Sequence, residues 1–501
     1  MRGAVIDLGS NSVRLMVVEW NRSGSWGVVD EERHILRLGE TLLVEGRLSG
    51  DIERAAFVLA TLVKRARKEG ATRFVAVGTA AIRSAPDGAA FGVALSRAAG
   101  VRIRVIDGKE EARLGFIGMR HALTVPAGHL VDLGGASTEI SRFEGGRLAG
   151  TVSIPVGAVT LARRMAEGSQ REAVRRALKE VSGLLGAMVP DLGGGLPMVA
   201  IGGSFRSIAR VHRAEVGYPF PSLHNYRFLP AVIGEMLERI SRLKPSQRPL
   251  VPGLTAHRSE TALAALVIAR AVMAKLEPSE IVVSGTGVRE GLLYECLLPP
   301  DAGRQQMFQT SVKNLLFQFG EEVDGDLTAS AGRLWEALSP IVGPPPQDLA
   351  WATAALRGIG KRVNWYDRHP QTAGIIMGAR LFGVSHRQQV VLAAAAGYTG
   401  PRLVREMLLP FPGLAGDNEV TLAQRLGLVA ALADGLARKF PATALGFLAR
   451  DAGGRIEIGV DGAERPPEIP FDEVTRLQRQ FGKVFGKELV LSYRESVHPG
   501  L

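Results

Sequence analysis

The fold is decided by residues 128–138, whose sequence is GHLVDLGGAST. A short apolar run leads into one carboxylate, Asp132, and the chain then reaches two adjacent glycines. Glycine permits a tight turn and a close approach of the backbone to a ligand. Two hydroxyl residues follow, Ser137 and Thr138, and the backbone N–H groups of such a turn can face an anion. The pattern predicts a strand that ends in an anion-binding turn.

The same pattern occurs near the N-terminus, where residues 3–12 read GAVIDLGSNS. When this segment is shifted by 125 positions, Asp7 aligns with Asp132, and two Gly, one Leu and one Ser also coincide. One glycine turn after a strand is weak support for a ligand site, because such glycines often serve only the turn. Two copies at matching positions indicate an internal duplication. We therefore predict two related lobes.

Length and composition indicate a globular protein of several domains. A chain of 501 residues is long enough for two to four domains. The single cysteine, Cys296, excludes an intrachain disulfide and a metal site built from cysteines. The N-terminus reaches an acidic residue too early for a signal peptide. A membrane span needs about 18 apolar residues in a row, and no apolar run in the sequence approaches that length. We expect a cytoplasmic protein without a membrane partner.

The positive charge is concentrated in the first part of the chain. The net charge is +11, and Lys+Arg exceed Asp+Glu by 39 to 29 in residues 1–300 but only by 22 to 21 in residues 301–501. A basic surface without a ligand is one explanation, and a polyanionic ligand is the other. No nucleic-acid-binding motif accompanies the charge, so we expect no nucleic-acid partner.

Periodicity predicts four regions. Residues 1–122 show the order β-β-β-α-β-α-β-α, and residues 123–300 repeat it, which indicates an α/β fold. Residues 301–442 are rich in helical patterns, with a break between helices at the three prolines 344–346. Residues 443–501 return to alternating segments around one helix and predict a small α+β domain.

Two aspartate–glycine turns that face each other across a cleft can clamp a phosphate chain. Asp7 and Asp132 can hold Mg²⁺ or orient water, while the amides of each turn contact phosphoryl oxygens. The alternative is that both glycine turns are purely structural.

Six motifs in residues 1–300 together resemble the exopolyphosphatase/guanosine pentaphosphate phosphatase family. They are DLGSNS (7–12), GTAAIR (78–83), GKEEAR (108–113), VDLGGASTE (131–139), IGGS (201–204) and SGTGVREG (284–291). The resemblance implies two actin-like ATPase (ribonuclease H-like) lobes, as in the actin–hexokinase–chaperone superfamily. It further implies a helical domain similar to histidine–aspartate hydrolases and a small C-terminal domain. It also suggests a homodimer.

The resemblance implies a role for individual residues of this sequence. Glu111 matches the family's catalytic general base, with the neighbouring Glu110 as second choice, and Arg83 matches an arginine that neutralises the transferred phosphoryl group. Asp132, Glu139 and Asp7 are the implied ligands of Mg²⁺ or another divalent cation. The implied phosphate-binding residues are Gly9, Ser10, Asn11, Ser12, Gly134, Gly135, Ala136, Ser137, Thr138, Gly202, Gly203 and Ser204.

The sequence departs from the family pattern at three places. Ala136 stands where a third glycine is usual, and its methyl group is expected to crowd a phosphate or to restrict φ. Ser204 replaces the commoner threonine and keeps the hydroxyl. In the helical region, Arg357 and Gly358 take the place of a His-Asp pair, and His369 and His386 lack an adjacent acid. We expect this region to bind or position a phosphate chain.

The sequence favours an Mg²⁺-dependent exopolyphosphatase that trims inorganic polyphosphate. Guanosine pentaphosphate is the alternative substrate, and a non-catalytic nucleotide- or polyphosphate-binding protein is a second alternative. A sugar or acetate kinase fits less well, since no sugar site is recognisable. Arg206, Arg210 and Arg213 have helical spacing and are candidate guides for the chain, although a solvated helix face explains them equally well.

Overall fold

The computed structural model describes residues 1–299, 306–438, 446–461 and 471–494. These residues form two compact units. The first comprises Met1–Tyr218 and the described residues from Ser222 to 299, and the second comprises Pro219–Pro221 and the described residues from Gln306 onward. The predicted division into four domains stays a prediction.

The first lobe is a five-stranded mixed sheet with helices. The sheet order is β3-β2-β1-β4-β5, in which β1, β2 and β3 are antiparallel and β4 and β5 run parallel to β1. The central residues of β1, Ala4, Val5 and Ile6, are apolar and have no exposed surface. Such a run is expected for a strand whose sheet is covered on both faces. The strands are β1 (Arg2–Leu8), β2 (Ser12–Trp20), β3 (Trp26–Ile35), β4 (Arg73–Gly78) and β5 (Ile103–Val105). The helices are α1 (Leu38–Glu45), α2 (Ile52–Lys68), α3 (Ala80–Ser84), α4 (Gly88–Ala99) and α5 (Gly108–Arg120).

The second lobe repeats this plan with one strand more. Its sheet order is β10-β11-β9-β6-β7-β8, with β6, β9 and β11 parallel. The strands are β6 (Ala127–Leu133), β7 (Thr138–Glu144), β8 (Arg147–Ile154), β9 (Met198–Ile201), β10 (Arg227–Phe228) and β11 (Ile281–Val283). The helices are α6 (Ala158–Arg164), α7 (Gln170–Met188), α8 (Gly202–Glu215), α9 (Ala231–Ser241), α10 (Ala256–Leu276) and α11 (Val288–Leu292), followed by a π-helical turn, Leu293–Leu297.

The duplication is confirmed at the level of strand register. Asp7 pairs with Arg14 across β1 and β2, and Asp132 pairs with Glu139 across β6 and β7. Both turns close with the same hydrogen bond: the N–H of Gly9 donates to the Ser12 carbonyl at 3.1 Å, and that of Gly134 donates to Ser137 at 3.0 Å. The two lobes therefore present equivalent aspartates and equivalent glycine turns.

Glycines bring helices α5 and α11 unusually close. A Cβ added at Gly118 would lie 2.3 Å from the Gly287 carbonyl oxygen, and one added at Gly291 would lie 2.0 Å from that of Leu114. Real Cβ atoms essentially never come this close, so the crossing requires glycine at both positions. The contact fixes α5, the helix that carries Glu111, against the end of the second lobe.

The second unit is mainly helical and ends in a small sheet. Its helices are α12 (Met307–Gln318), α13 (Gly325–Val342), α14 (Gln347–Leu356), α15 (Arg368–Gly378), α16 (His386–Ala396), α17 (Pro401–Leu408) and α18 (Asp417–Ala437). Strands β12 (Gly446–Asp451), β13 (Arg455–Asp461) and β14 (Glu488–Arg494) form a sheet in that order, and α19 (Phe471–Phe485) precedes β14. The three prolines lie between α13 and α14, as predicted.

One helix among the described residues, α18, is long and apolar enough to cross a membrane, with a mean hydropathy of 1.3 in its most apolar window. In the structure, 61% of that window is buried, and Leu428 and Val429 have no exposed surface. Since α18 contacts α13, α14 and α16, its apolar character is explained by packing inside the second unit.

Arg357, which we expect to stand at the position of a His-Asp pair, is buried in the second unit. Its Nε donates to Asp434 Oδ2 at 3.2 Å, and its Nη1 donates to the Tyr398 carbonyl oxygen at 3.1 Å. The partly buried carboxylate of Asp434 thus compensates the charge of the buried guanidinium. His386, one of the two histidines named in this region, stacks on Phe220 with ring centroids 4.3 Å apart.

Candidate active site

Both glycine turns open into one cavity of about 120 Å³ in the first unit. It lies at the carboxyl end of β1 in the first sheet and at the carboxyl ends of the parallel strands β6 and β9 in the second sheet, where Asp7, Asp132 and Ile201 line it. Helix α8 begins there, and its N-terminus suits an anion. Most predicted residues line this cavity: Asp7, Gly9, Ser10, Asn11, Ser12, Glu111, Asp132, Gly134, Gly135, Ser137, Gly202, Gly203 and Ser204.

Four predicted site residues do not line the cavity, namely Arg83, Ala136, Thr138 and Glu139. The Thr138 hydroxyl is buried and donates to the Val156 carbonyl oxygen at 2.7 Å, so it holds the loop instead of a phosphate. Ala136 does not have a positive φ, so the expected restriction by its methyl group does not arise. The predicted phosphate contact of the Thr138 hydroxyl is therefore wrong, and the assignment of Ala136 to the phosphate loop stays a prediction.

Helix α6 supports the second glycine turn from behind. The N–H of Ala158 donates to the Gly134 carbonyl at 3.0 Å, and that of Val159 donates to Gly135 at 2.8 Å. Gly157, directly before the helix, lies so close that an added Cβ would come within 2.4 Å of the Gly135 carbonyl carbon. The position of the turn therefore depends on the start of α6.

Glu111 is held in place by Arg83. Asp107 caps the N-terminus of α5 because its side chain accepts the N–H of Glu110, and Glu111 lies in the first turn of the helix. Arg83 Nη1 donates to Glu111 Oε2 at 3.0 Å and to the Ile106 carbonyl at 2.9 Å. The other terminal nitrogen of Arg83 lies 3.8 Å from Glu139 Oε1. Arg83 thus bridges two carboxylates and faces Glu111, not the cavity.

The carboxylates around Arg83 hold protons more strongly than usual. Burial raises the pKa of Glu111 well above its ordinary value, and repulsion from Glu139 and Asp132 raises it further, while Arg83 opposes the rise. Burial, followed by the charge of Asp132, raises the pKa of Glu139 to about 7. A carboxylate whose pKa approaches the working pH is suited to act as a general base.

Glu110, the second choice for the base, has a different environment. It accepts hydrogen bonds from Arg113 Nε at 2.7 Å and from Arg104 Nη1 at 3.1 Å. These two arginines lower its pKa, with Arg113 the larger cause. Glu110 does not line the cavity. The geometry therefore favours Glu111.

Asp7 and Asp132 are suited to share a cation. Burial raises the pKa of Asp132 to about 6, and the charge of Asp7 contributes to the rise. A divalent cation between the two carboxylates would relieve this repulsion, and Mg²⁺ is usually held by one or two carboxylates together with phosphate and water. No group of three His, Cys, Asp or Glu side chains within the described ranges could hold a metal alone. These two aspartates therefore fit Mg²⁺ with substrate oxygens completing the site.

Glu139, predicted as a further metal ligand, is placed differently. Its Oε1 accepts from Ser153 Oγ at 2.9 Å, and its side chain is almost fully buried beside Arg83. Its charge raises the pKa of Glu111, its buried Oε2 has no hydrogen-bond partner among the described residues, and its role as a metal ligand stays a prediction.

Four arginines line the cavity: Arg14, Arg206, Arg258 and Arg289. Burial lowers the pKa of Arg206 to about 9, with Arg14 and Arg289 adding to the effect, and burial lowers the pKa of Arg258 to about 10. Cations crowded in this way favour an anionic ligand that carries several charges. Of the four, sequence reasoning found only Arg206, through its helical spacing.

Similar proteins come from both sequence and structure comparison. Exopolyphosphatase 1 of Mycobacterium leprae is 30% identical over 340 residues, which cover 65% of this chain and 96% of that protein. The guanosine-5'-triphosphate,3'-diphosphate pyrophosphatase of Vibrio campbellii is 27% identical over 428 residues, 82% of each chain. The crystal structure of the Aquifex aeolicus member of the Ppx/GppA protein family is 26% identical, with a TM-score of 0.51, and the match covers 58% of this chain and 96% of that chain.

The family model described as the Ppx/GppA phosphatase family matches residues 17–299, more than half of the chain. These residues contain the second sheet and most of the first, and they include Glu111 and the second glycine turn, while β1 and the first glycine turn lie before them. The structural neighbours share its actin-like fold. The chain therefore belongs to the Ppx/GppA phosphatase family.

Proposed function

We propose that this protein is an exopolyphosphatase that removes terminal phosphoryl groups from inorganic polyphosphate, with Glu111 as the base that activates water. The observation that carries the proposal is the pairing of a buried, proton-holding carboxylate with four arginines in one cavity. The similarity to an exopolyphosphatase along 96% of that protein supports the substrate class.

The cavity can bind the end of a phosphate chain from both sides. The N–H groups of the two glycine turns and of the start of α8 contact its oxygens, and the lining arginines offset its charge. Glu111 accepts a proton from water as the water oxygen bonds to the terminal phosphorus. The bridging P–O bond breaks, and its electron pair stays on the oxygen that becomes the new end of the shortened chain. Electrostatic stabilisation of this kind is the main protein contribution to phosphoryl transfer.

Asp7 and Asp132 would hold Mg²⁺, which supplies positive charge to the phosphoryl oxygens when bound. Arg83 orients Glu111 through the 3.0 Å hydrogen bond and limits the rise in its pKa. Glu139 acts in the opposite direction and keeps that pKa high. Burial is the largest cause of the raised pKa of Glu111, and Glu139 and Arg83 adjust it in opposite directions.

The decisive experiment compares Glu111→Gln with Glu110→Gln in phosphate release from long-chain polyphosphate with Mg²⁺. Loss of a general base reduces the rate by about 10²- to 10⁴-fold. We expect this loss for Glu111→Gln and nearly full activity for Glu110→Gln, which removes the same charge from the same helix turn. Equal rates for the two variants would exclude Glu111 as the base.

Guanosine pentaphosphate is the second candidate substrate. The Vibrio campbellii protein, named for that activity, matches this chain over 82% of both lengths and so includes much of the second unit. Turnover of guanosine pentaphosphate and polyphosphate under the same conditions decides between them.

A further inference from the structure

The backbone and the side chain of Asn11 are held by different lobes. Asn11 belongs to the first glycine turn and lines the active-site cavity. Its backbone carbonyl oxygen accepts the N–H groups of Leu36 and Arg37 at 3.1 and 3.0 Å, which fixes the backbone within the first lobe. The side-chain amide nitrogen of Asn11 lies 3.2 Å from Nε2 of His257. Since His257 belongs to α10, the side chain is bound from the second lobe.

The contacts of His257 determine its protonation state. Its Nε2 also lies 3.4 Å from Nη2 of Arg33, and a guanidinium nitrogen can only donate a hydrogen bond. The amide nitrogen of Asn11 is likewise a donor. Because both partners donate, Nε2 must be the acceptor and carries no proton. The imidazole is therefore neutral, with its proton on Nδ1.

The surroundings of His257 keep its imidazole neutral. Burial lowers the pKa of His257 below its ordinary value of 6.5, three nearby arginines lower it further, and Glu260 opposes them. The three arginines are Arg258, Arg33 and Arg37. At neutral pH the imidazole is thus unprotonated. A protonated ring would place an N–H where the Asn11 amide requires an acceptor.

We propose that His257 is a positioning residue, which accepts a hydrogen bond from the Asn11 amide across the cleft and thereby orients Asn11 toward the phosphoryl oxygens. The proposal rests on the proposed function and deepens it, because it names a residue that joins the two lobes in this site. Among the described residues lining the cavity, Asn11 is present and His257 is not, so His257 acts through Asn11. An amide nitrogen carries two N–H groups, and the one bound to His257 leaves the other for a phosphate oxygen.

The first test measures kcat/KM for polyphosphate in three variants of the full-length protein. His257→Leu removes the acceptor without changing charge, and we expect about a tenfold loss. His257→Gln restores an acceptor oxygen near the position of Nε2 and should remain within about threefold of wild type. Glu260→Gln is the matched control, expected to change kcat/KM by less than about threefold. Glu260 also connects α10 to the first lobe, 3.6 Å from Arg37, but this ion pair is exposed.

Three outcomes of this comparison would overturn the proposal. They are an unchanged kcat/KM in His257→Leu, equal losses in His257→Leu and His257→Gln, and a loss in Glu260→Gln as large as that in His257→Leu. The last result would mean that any contact between α10 and the first lobe has the same effect.

A double-mutant cycle tests whether His257 acts through Asn11. Asn11→Ala alone should lose at least as much kcat/KM as His257→Leu. In the Asn11→Ala background, His257→Leu should cost less than about a further twofold, because the group that it orients is already gone. Losses that multiply independently would contradict the proposal.

Two further measurements do not depend on turnover. In the Glu111→Gln background, His257→Leu should raise the Kd for tripolyphosphate about tenfold, and an unchanged Kd would contradict the proposal. Nitrogen-15 NMR at neutral pH should show His257 with a protonated Nδ1 and an unprotonated Nε2, and a proton on Nε2 would also contradict it; the spectrum of His257→Gln identifies the signals. If the wild-type protein hydrolyses no polyphosphate, the proposed function fails while these measurements still test His257. Unfolding curves verify that each variant is folded.

Discussion

Gly157 is the residue at which a single methyl group should disable the phosphate clamp. It has φ −137°, which any residue adopts, so replacing it by alanine introduces no backbone strain. The new Cβ, however, would lie 2.4 Å from the Gly135 carbonyl carbon and 2.5 Å from the Ala136 nitrogen. Both atoms belong to the backbone of the second glycine turn, so no side chain can rotate away.

The size of the effect follows from these distances. Ordinary contact begins at 3.4 Å, so the turn must move by roughly 1 Å to accept the methyl group. A misplacement of about 1 Å can reduce the rate about 100-fold, because binding groups no longer match the transition state. Overpacking itself costs about 1–3 kcal/mol of stability, which leaves the protein folded.

The assay is kcat/KM for polyphosphate with Mg²⁺, measured for Gly157→Ala and two controls. Gly150→Ala adds the same methyl group where no heavy atom lies within 4 Å, and Ala136→Gly restores the usual third glycine. We expect about a 100-fold loss for Gly157→Ala and less than about a threefold change for both controls. A folded Gly157→Ala protein with activity within threefold of wild type would refute the idea that α6 positions the turn.

Three further predictions concern the carboxylates. Glu139→Gln removes the largest charge repulsion on Glu111, so the pKa of Glu111 falls, and the acidic limb of the pH–rate profile should move to lower pH; an unmoved limb would contradict this coupling. In the metal-free protein, the folded state binds more protons than the unfolded state between the ordinary pKa of Glu139, 4.5, and its folded value of about 7. Stability should therefore fall as pH rises through this window, by up to about 3 kcal/mol from Glu139, and denaturant titrations of wild type and Glu139→Gln should diverge there. Gly202 has φ +95°, and a Cβ there would lie 2.7 Å from Asp132 Oδ1. Gly202→Ala should therefore raise the Mg²⁺ concentration needed for half-maximal activity about tenfold or more. An unchanged Mg²⁺ requirement would contradict the role of Asp132 as a metal ligand.

The duplicated turns could be predicted from the sequence because they are local. The strand, the aspartate and the glycine turn follow each other within ten residues, and the register Asp7–Arg14 repeats as Asp132–Glu139. Most of the predicted strands and helices of the first unit were confirmed for the same reason. Helices α1 and α3 and the two-residue strand β10 were missed, since none of them is long enough to show a clear period.

The arginines of the cavity depend on tertiary structure. Arg14, Arg258 and Arg289 come from β2, α10 and α11, and nothing in their local sequence marks them as neighbours. These side chains come together only because the two lobes pack around the same cavity. Thr138 was assigned to the phosphate because it follows the turn, but it begins β7 and its hydroxyl points to Val156. Successive side chains of a strand point to opposite faces, and this alternation sets the direction of the Thr138 hydroxyl.

The central claim is that water, activated by Glu111, attacks the terminal phosphorus of polyphosphate. It is tested most directly by hydrolysis in oxygen-18-labelled water with Mg²⁺, followed by mass analysis of the orthophosphate and of the shortened chain. We expect a single labelled oxygen in each released orthophosphate, no label in the remaining chain, and almost no labelled product with Glu111→Gln. Label in the chain end, or undiminished labelled phosphate from Glu111→Gln, would contradict it.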